Sequence, residues 1–355
     1  MPTLSRTSGS AEPLRPGTAT TTPASVDLEM QHPEENQSPQ ESTIDDTRYP
    51  RNPRNPRTSM ALSSHTTSRV NEPLPPLHTP HRKRITKLTI GLLLCTLDLC
   101  VLPMVYYYAF KYGTNLSLQK IFAIITGVYG LLSFTHFFFR SLKLFRKNTA
   151  PNFRPLGWTR WGTAEFTEVN LLIVITIVEI ELIAATAPSN PIVRLCAMPS
   201  PSICFYFGFV FIASSTLTAL QWKLPFNMSS TPKGSLWRPA LLAMIEDAGA
   251  IEGQGGVVFR QQIMKRYEVS PLFRNMIQLL SWMWGIGFLG IGVISTVLVM
   301  ELDVDTGFGF GWGLPYAFAV VWIWLTIVFV RRQLQKERNA WRMKDELSGV
   351  DRSLA

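Results

Sequence analysis

The stretch that most constrains this chain is residues 166–187, FTEVNLLIVITIVEIELIAATA. It is apolar and long enough to cross a bilayer, which takes about 20 residues at 1.5 Å each. Yet Glu179 and Glu181 lie well inside the run. An ionised carboxylate in hydrocarbon costs several kcal/mol, so both acids must be protonated, hydrogen-bonded or facing water.

Five further apolar runs frame this one: residues 85–110, 121–139, 203–222, 275–300 and about 312–330. Together they predict an all-α fold, a six-helix transmembrane bundle over residues 85–330. Residues 1–84 are rich in Pro, Ser, Thr, Asn and Arg and form no apolar clusters, so a disordered N-terminal tail is expected. They contain no signal peptide, which leaves targeting to the first span. Residues 331–355 read as a polar C-terminal tail.

The net charge of +9 does not point to nucleic acid, because the basic residues flank the apolar runs. With both termini cytosolic, all but Lys111, Lys120 and Arg194 of the 34 Lys and Arg fall on the inner side. That asymmetry fixes the expected orientation. Asn115, in an outer loop, is then the glycosylation candidate, and the sequon at Asn227 faces the cytosol. Cys95 and Cys100 read as buried thiols, while Cys196 and Cys204 lie on the outer side, where a disulfide is allowed. Expected partners are the lipid bilayer, anionic headgroups at the basic flanks, and a second copy of the chain. No cofactor or metal is expected.

Counted from the inner ends of their helices, Asp98 and Glu179 are each 12 residues in, about 18 Å deep. They meet in one site if the two helices are neighbours. Glu179 and Glu181 cannot face the same point, since two residues turn a helix by about 200°. Glu181 shares a face with Asn170, and Glu179 with Thr176 and Thr186. The functional reading is a path for a cation, a proton or a small polar solute; the plain reading is hydrogen bonding between helices. His136, near the inner end of the second run, is a weaker candidate. In the fifth run, Ser281, Gly285 and Gly292 have the spacing of close helix packing. GFGFGWG, residues 307–313, reads as a flexible aromatic entry to the sixth.

The cytosolic loop, residues 223–274, has internal order. ALLAMIEDAGAI after Pro239 and VVFRQQIMKRYEV before Ser270-Pro271 each suit a short helix. They read as interfacial helices, or as a binding element built on Glu246, Asp247, Glu252, Arg260 and the glycine bend at 253–256. The segment IEDAGAIEGQGGVVFRQQIMKRYEVSPLFR resembles one in a group of uncharacterised fungal multi-pass integral membrane proteins. The resemblance extends over about residues 82–342. It implies a fungal source and six to seven helices, and brings no activity with it.

Four of the five histidines lie in the tail, and there is no Walker A sequence, no GxSxG and no nucleophile with a matching base. No enzymatic activity is expected. The two readings carried forward are a carrier using the intramembrane acids and a non-catalytic scaffold that recruits partners through the tail and the loop.

Overall fold

The computed structural model describes residues 101–146, 148–157 and 165–354, without the side chains of His136, Asp345 and residues 348–354. The expected tail, most of the first span, Asp98, Cys95 and Cys100 lie outside the described residues. Every element described is an α-helix: α1 (Leu102–Gly113), α2 (Leu118–Phe145), α3 (Ala150–Phe153), α4 (Phe166–Thr186), α5 (Val193–Cys196), α6 (Pro199–Ala219), α7 (Ala240–Ile251), α8 (Gly256–Val269), α9 (Pro271–Glu301) and α10 (Val304–Leu354). Two isolated bridges, Lys223–Leu236 and Met228–Thr231, fold the start of the long loop back on itself.

Five helices are long and apolar enough to cross a membrane: α2, α4, α6, α9 and the part of α10 up to Lys344. The first expected span is described only from residue 101, as α1. The side of the molecule holding residues 223–274 is the loop side, and the opposite side is the far side.

The tightest helix pair is α6 with α9, and small residues account for it. A Cβ on Gly285 would stand 2.7 Å from Ile212 Cγ1, and one on Gly208 2.7 Å from Leu289 Cδ2. Without side chains at these two positions the backbones close up, and dispersion replaces the hydrophobic drive that lipid cannot supply. Ser281 and Ser295 are fully buried on the same seam. The spacing read from the sequence is thus used, and α6 is the partner.

Two sequence expectations change at α10. Residues 307–313 form no flexible entry; they are helical and packed. Phe308 and Trp312 are buried in the far-side core, and Trp312 Nε1 donates to Cys196 O at 3.0 Å. A Cβ on Gly311 would collide with Ala197 O. Close packing therefore requires the glycines and overrides their weak helix propensity, about 1 kcal/mol each. The helix then continues past the expected end of the span at 330 to Leu354. At its start, α9 begins at Pro271, because the Ser270 side chain accepts from Phe273 N at 3.2 Å and proline suits the first turn.

The far side is tied by two polar clusters. Asp305 accepts from Tyr107 Oη at 2.6 Å and Tyr112 Oη at 2.7 Å, and pairs with Lys111; Tyr108 Oη donates to its carbonyl. Tyr107 is fully buried by this arrangement. Arg194 donates to the carbonyls of Val299, Met300 and Leu302, which closes the end of α9. The disulfide allowed between Cys196 and Cys204 is absent: both are free and buried. They lie on successive helices, α5 and α6, and the Cys196 backbone is committed to Trp312.

Candidate functional site

Glu246 and Asp247 on α7, Glu252 just after it and Arg260 on α8 are brought together, as the sequence allowed. They are not laid on a surface. Arg260 is fully buried and donates through Nη1 to Glu246 Oε1 at 2.8 Å and Asp247 Oδ1 at 2.7 Å. Its Nη2 reaches Glu165, and Nη2 and Nε both donate to the Phe153 carbonyl of α3. A planar fork with five donors is the side chain that can serve so many acceptors.

Three further members were not singled out in the sequence. Arg140, in the last turns of α2, donates through Nε to Glu168 Oε2 at 2.9 Å, through Nη2 to Glu165 Oε2 at 2.7 Å and through Nη1 to Glu252. Glu165 precedes α4 and bridges the two arginines; Glu168 lies in its first turn and also accepts from Ser141. Their signal was local: acids three apart at a helix N-terminus, which favours negative charge. Asp247 completes that N-terminus from the loop. Its Oδ2 accepts from Thr167 N at 3.1 Å, Thr167 Oγ1 at 2.9 Å and Ser229 Oγ at 2.7 Å.

The network contains five carboxyls and two guanidiniums, so acid exceeds base in a buried volume. Burial, together with neighbouring Asp247, pushes Glu246 up to about 8, although Ser230 and Arg238 partly offset it. Burial also pushes Asp247 up to about 6 against its bonds from Ser229 and Thr167. Burial and Arg140 bring the Arg260 guanidinium down to about 9, still protonated at neutral pH. Each guanidinium charge is divided among three carboxyls, so neither cancels the charge of any one partner.

Glycines shape the approach to Arg260. Gly256 opens α8 at φ +57°, and a Cβ there would meet Asn152 O at 2.5 Å. Ile263, Met264 and Tyr267 of α8 pack with Phe273, Met276, Ile277 and Leu280 of α9. Arg266 pairs with buried Glu337 on α10. The loop helices are therefore built into the base of the bundle.

Higher in α4 the acids separate, as two-residue spacing requires. Glu181 faces α6 and accepts from Ser202 Oγ. Asn170, about three turns back along α4, faces the same helix, and its Oδ1 accepts from Tyr206 Oη at 2.8 Å. Glu179 faces α2: its Oε1 is 3.0 Å from where a Gly130 Cβ would stand. That oxygen is buried without a partner, as is Thr126 Oγ1 one turn away on α2. Thr176 and Thr186 bond carbonyls of their own helix and do not serve Glu179. His136 lies on α2, its side chain outside the described residues, and Asn115 is exposed between α1 and α2. Among the described residues no group of three or more His, Cys, Asp and Glu is arranged to hold a metal ion.

Five helices long and apolar enough to cross a membrane, joined to one another by buried polar links, fit an integral multi-pass membrane protein of all-α class. Over residues 62–341 the chain matches the model of a domain of unknown function, DUF8766, and it belongs to that family. No curated protein and no solved structure matches it.

Proposed function

We propose that the protein moves protons across its membrane, using the interface between α2 and α4, with the loop side facing the cytosol. The observation that carries this reading is Glu179. Its carboxyl lies inside a span, opposite a glycine, with one oxygen buried and unpartnered. Eleven residues earlier, about three turns down the same face, Glu168 enters the ion-pair network with Arg140 of α2. One helix interface thus carries titratable groups from the loop side to mid-span, and such groups in membrane interiors mark proton relays. A proton is favoured over a metal cation because these acids are too dispersed to coordinate one. The reading assigns the chain no bond-making chemistry.

The test is the full chain reconstituted in liposomes with an entrapped pH dye and an imposed potential. Wild type dissipates the gradient faster than empty liposomes, and Glu179→Gln falls to the empty rate. Wild type at the empty rate, or Glu179→Gln at the wild-type rate, overturns the reading.

A second reading, a scaffold without transport, is favoured by one feature. Beyond residue 330, α10 carries Arg331, Arg332, Lys336, Arg338, Arg342 and Lys344, with Met343 and Leu347 exposed. Removing residues 342–355 leaves the Arg266–Glu337 pair in place. Under the scaffold reading it abolishes the cellular phenotype, and neither the full chain nor the truncated one carries proton flux; under the first reading flux and phenotype both persist.

A further inference from the structure

The network leaves one acid next to solvent by a short route. A cavity of about 350 Å³ opens on the loop side, lined by Leu156, Gly157, Asn227, Ser230 and Pro232. Ser230 is the polar link between that cavity and the buried charges. Its hydroxyl donates to Glu246 Oε1 and accepts from Leu156 N at 2.9 Å, and its backbone N–H also serves the Glu246 carboxyl. Glu246 itself is 1% exposed.

We propose that Glu246 is a proton-binding site, addressed from the cytosolic solvent through the Ser230 cavity. The groups that face it come from every neighbouring element. They are Arg260 of α8 as a direct partner, Asp247 beside it on α7, Arg238 ahead of α7, and Glu165 and Arg140 behind Arg260. The positive charge in direct contact with it, that of Arg260, is shared with Asp247 and Glu165. Adding a proton to Glu246 therefore relieves a local excess of negative charge. The balance is simple: hydronium in the cavity gives its proton to the Ser230 oxygen as that hydroxyl passes its own to Glu246. Water is left behind, and the carboxyl becomes neutral. Burial raises the affinity of this carboxyl for its proton to about pH 8, so the site changes charge close to neutral pH.

The proposal stands apart from flux through Glu179, and its test does not measure flux. Infrared difference spectra of the full chain in lipid nanodiscs, taken from pH 6 to 10, read the band of a protonated carboxyl. Wild type loses a band with a midpoint near 8, and Glu246→Gln lacks it. Ser230→Ala removes a hydrogen bond that favours the charged form, so its midpoint moves upward. A band lost with that same midpoint in Glu246→Gln overturns the proposal. If that variant does not fold, an unchanged midpoint in Ser230→Ala overturns it on its own. Wild type without any such band does so as well.

Discussion

The loop-side network and the middle of α4 use the same residue type to opposite ends. At the loop side, Glu165 and Glu168 are each held by Arg140, Glu165 also by Arg260, and Asp247 takes three further hydrogen bonds. At mid-span, Glu181 has one serine, and Glu181 Oε2 and Glu179 Oε1 are both buried without a partner. A carboxylate enclosed by donors joins helices. One left unserved is held in place only by the packing around it. The network acids Glu165, Glu168 and Asp247 therefore hold the fold, whereas no bond fixes the buried oxygen of Glu179.

The largest effect expected from breaking this contrast is at Arg260. Arg260→Met removes the guanidinium paired with Glu246 and Asp247 and one of the two on Glu165 in a buried site, and destabilises the fold by about 3–5 kcal/mol, read by unfolding in detergent. Arg260→Lys keeps the charge, loses the fork and falls between. Next is Glu337→Gln, which weakens the buried link from α8 to α10 by about 2 kcal/mol on the same assay.

The pH dependence follows in size. The folded state holds its proton on Glu246 more tightly than the unfolded chain does. This contribution to stability is fully present below about pH 4.5 and is lost as pH rises through about 8. Asp247 acts with the same sign and is lost through about 6. Limited proteolysis of residues 223–274 is therefore slower at pH 6 than at pH 9, and Glu246→Gln flattens the difference. The smallest effect is at mid-span: Glu179→Gln changes stability by less than about 0.5 kcal/mol. A loss comparable to that at Arg260 would erase the distinction between the two regions.

Much of the architecture was legible in the sequence because membrane spans and caps are local signals. The two loop helices were bounded correctly by Pro239, the glycine bend and Ser270-Pro271. Glu246, Asp247, Glu252 and Arg260 were singled out from the same stretch. Their partners were not, since Arg140 meets Glu252 across 112 residues and reads alone as an orientation-setting charge. The glycine-rich start of α10 was misread for a related reason. What holds it helical is Ala197, Tyr108 and Val299 on other segments, to which local propensity is blind. The separation of Glu179 from Glu181 needed only the helical period, whereas the choice of α2 and α6 as their neighbours needed the fold.

One consequence of α10 concerns mechanics. It is a single helix of 51 residues that carries Pro315 without a break, about 76 Å from end to end. It is gripped near one end at Asp305, by three tyrosines and a lysine. About 48 Å further along it is gripped again at Glu337, by Arg266. A rod clamped in this way behaves as a lever. Tilting it by about 5° around the first clamp carries the second sideways by about 4 Å. Any displacement it passes from one face of the membrane to α8 on the other also moves its packing on α9, where Phe318 and Trp322 stand against Gly287.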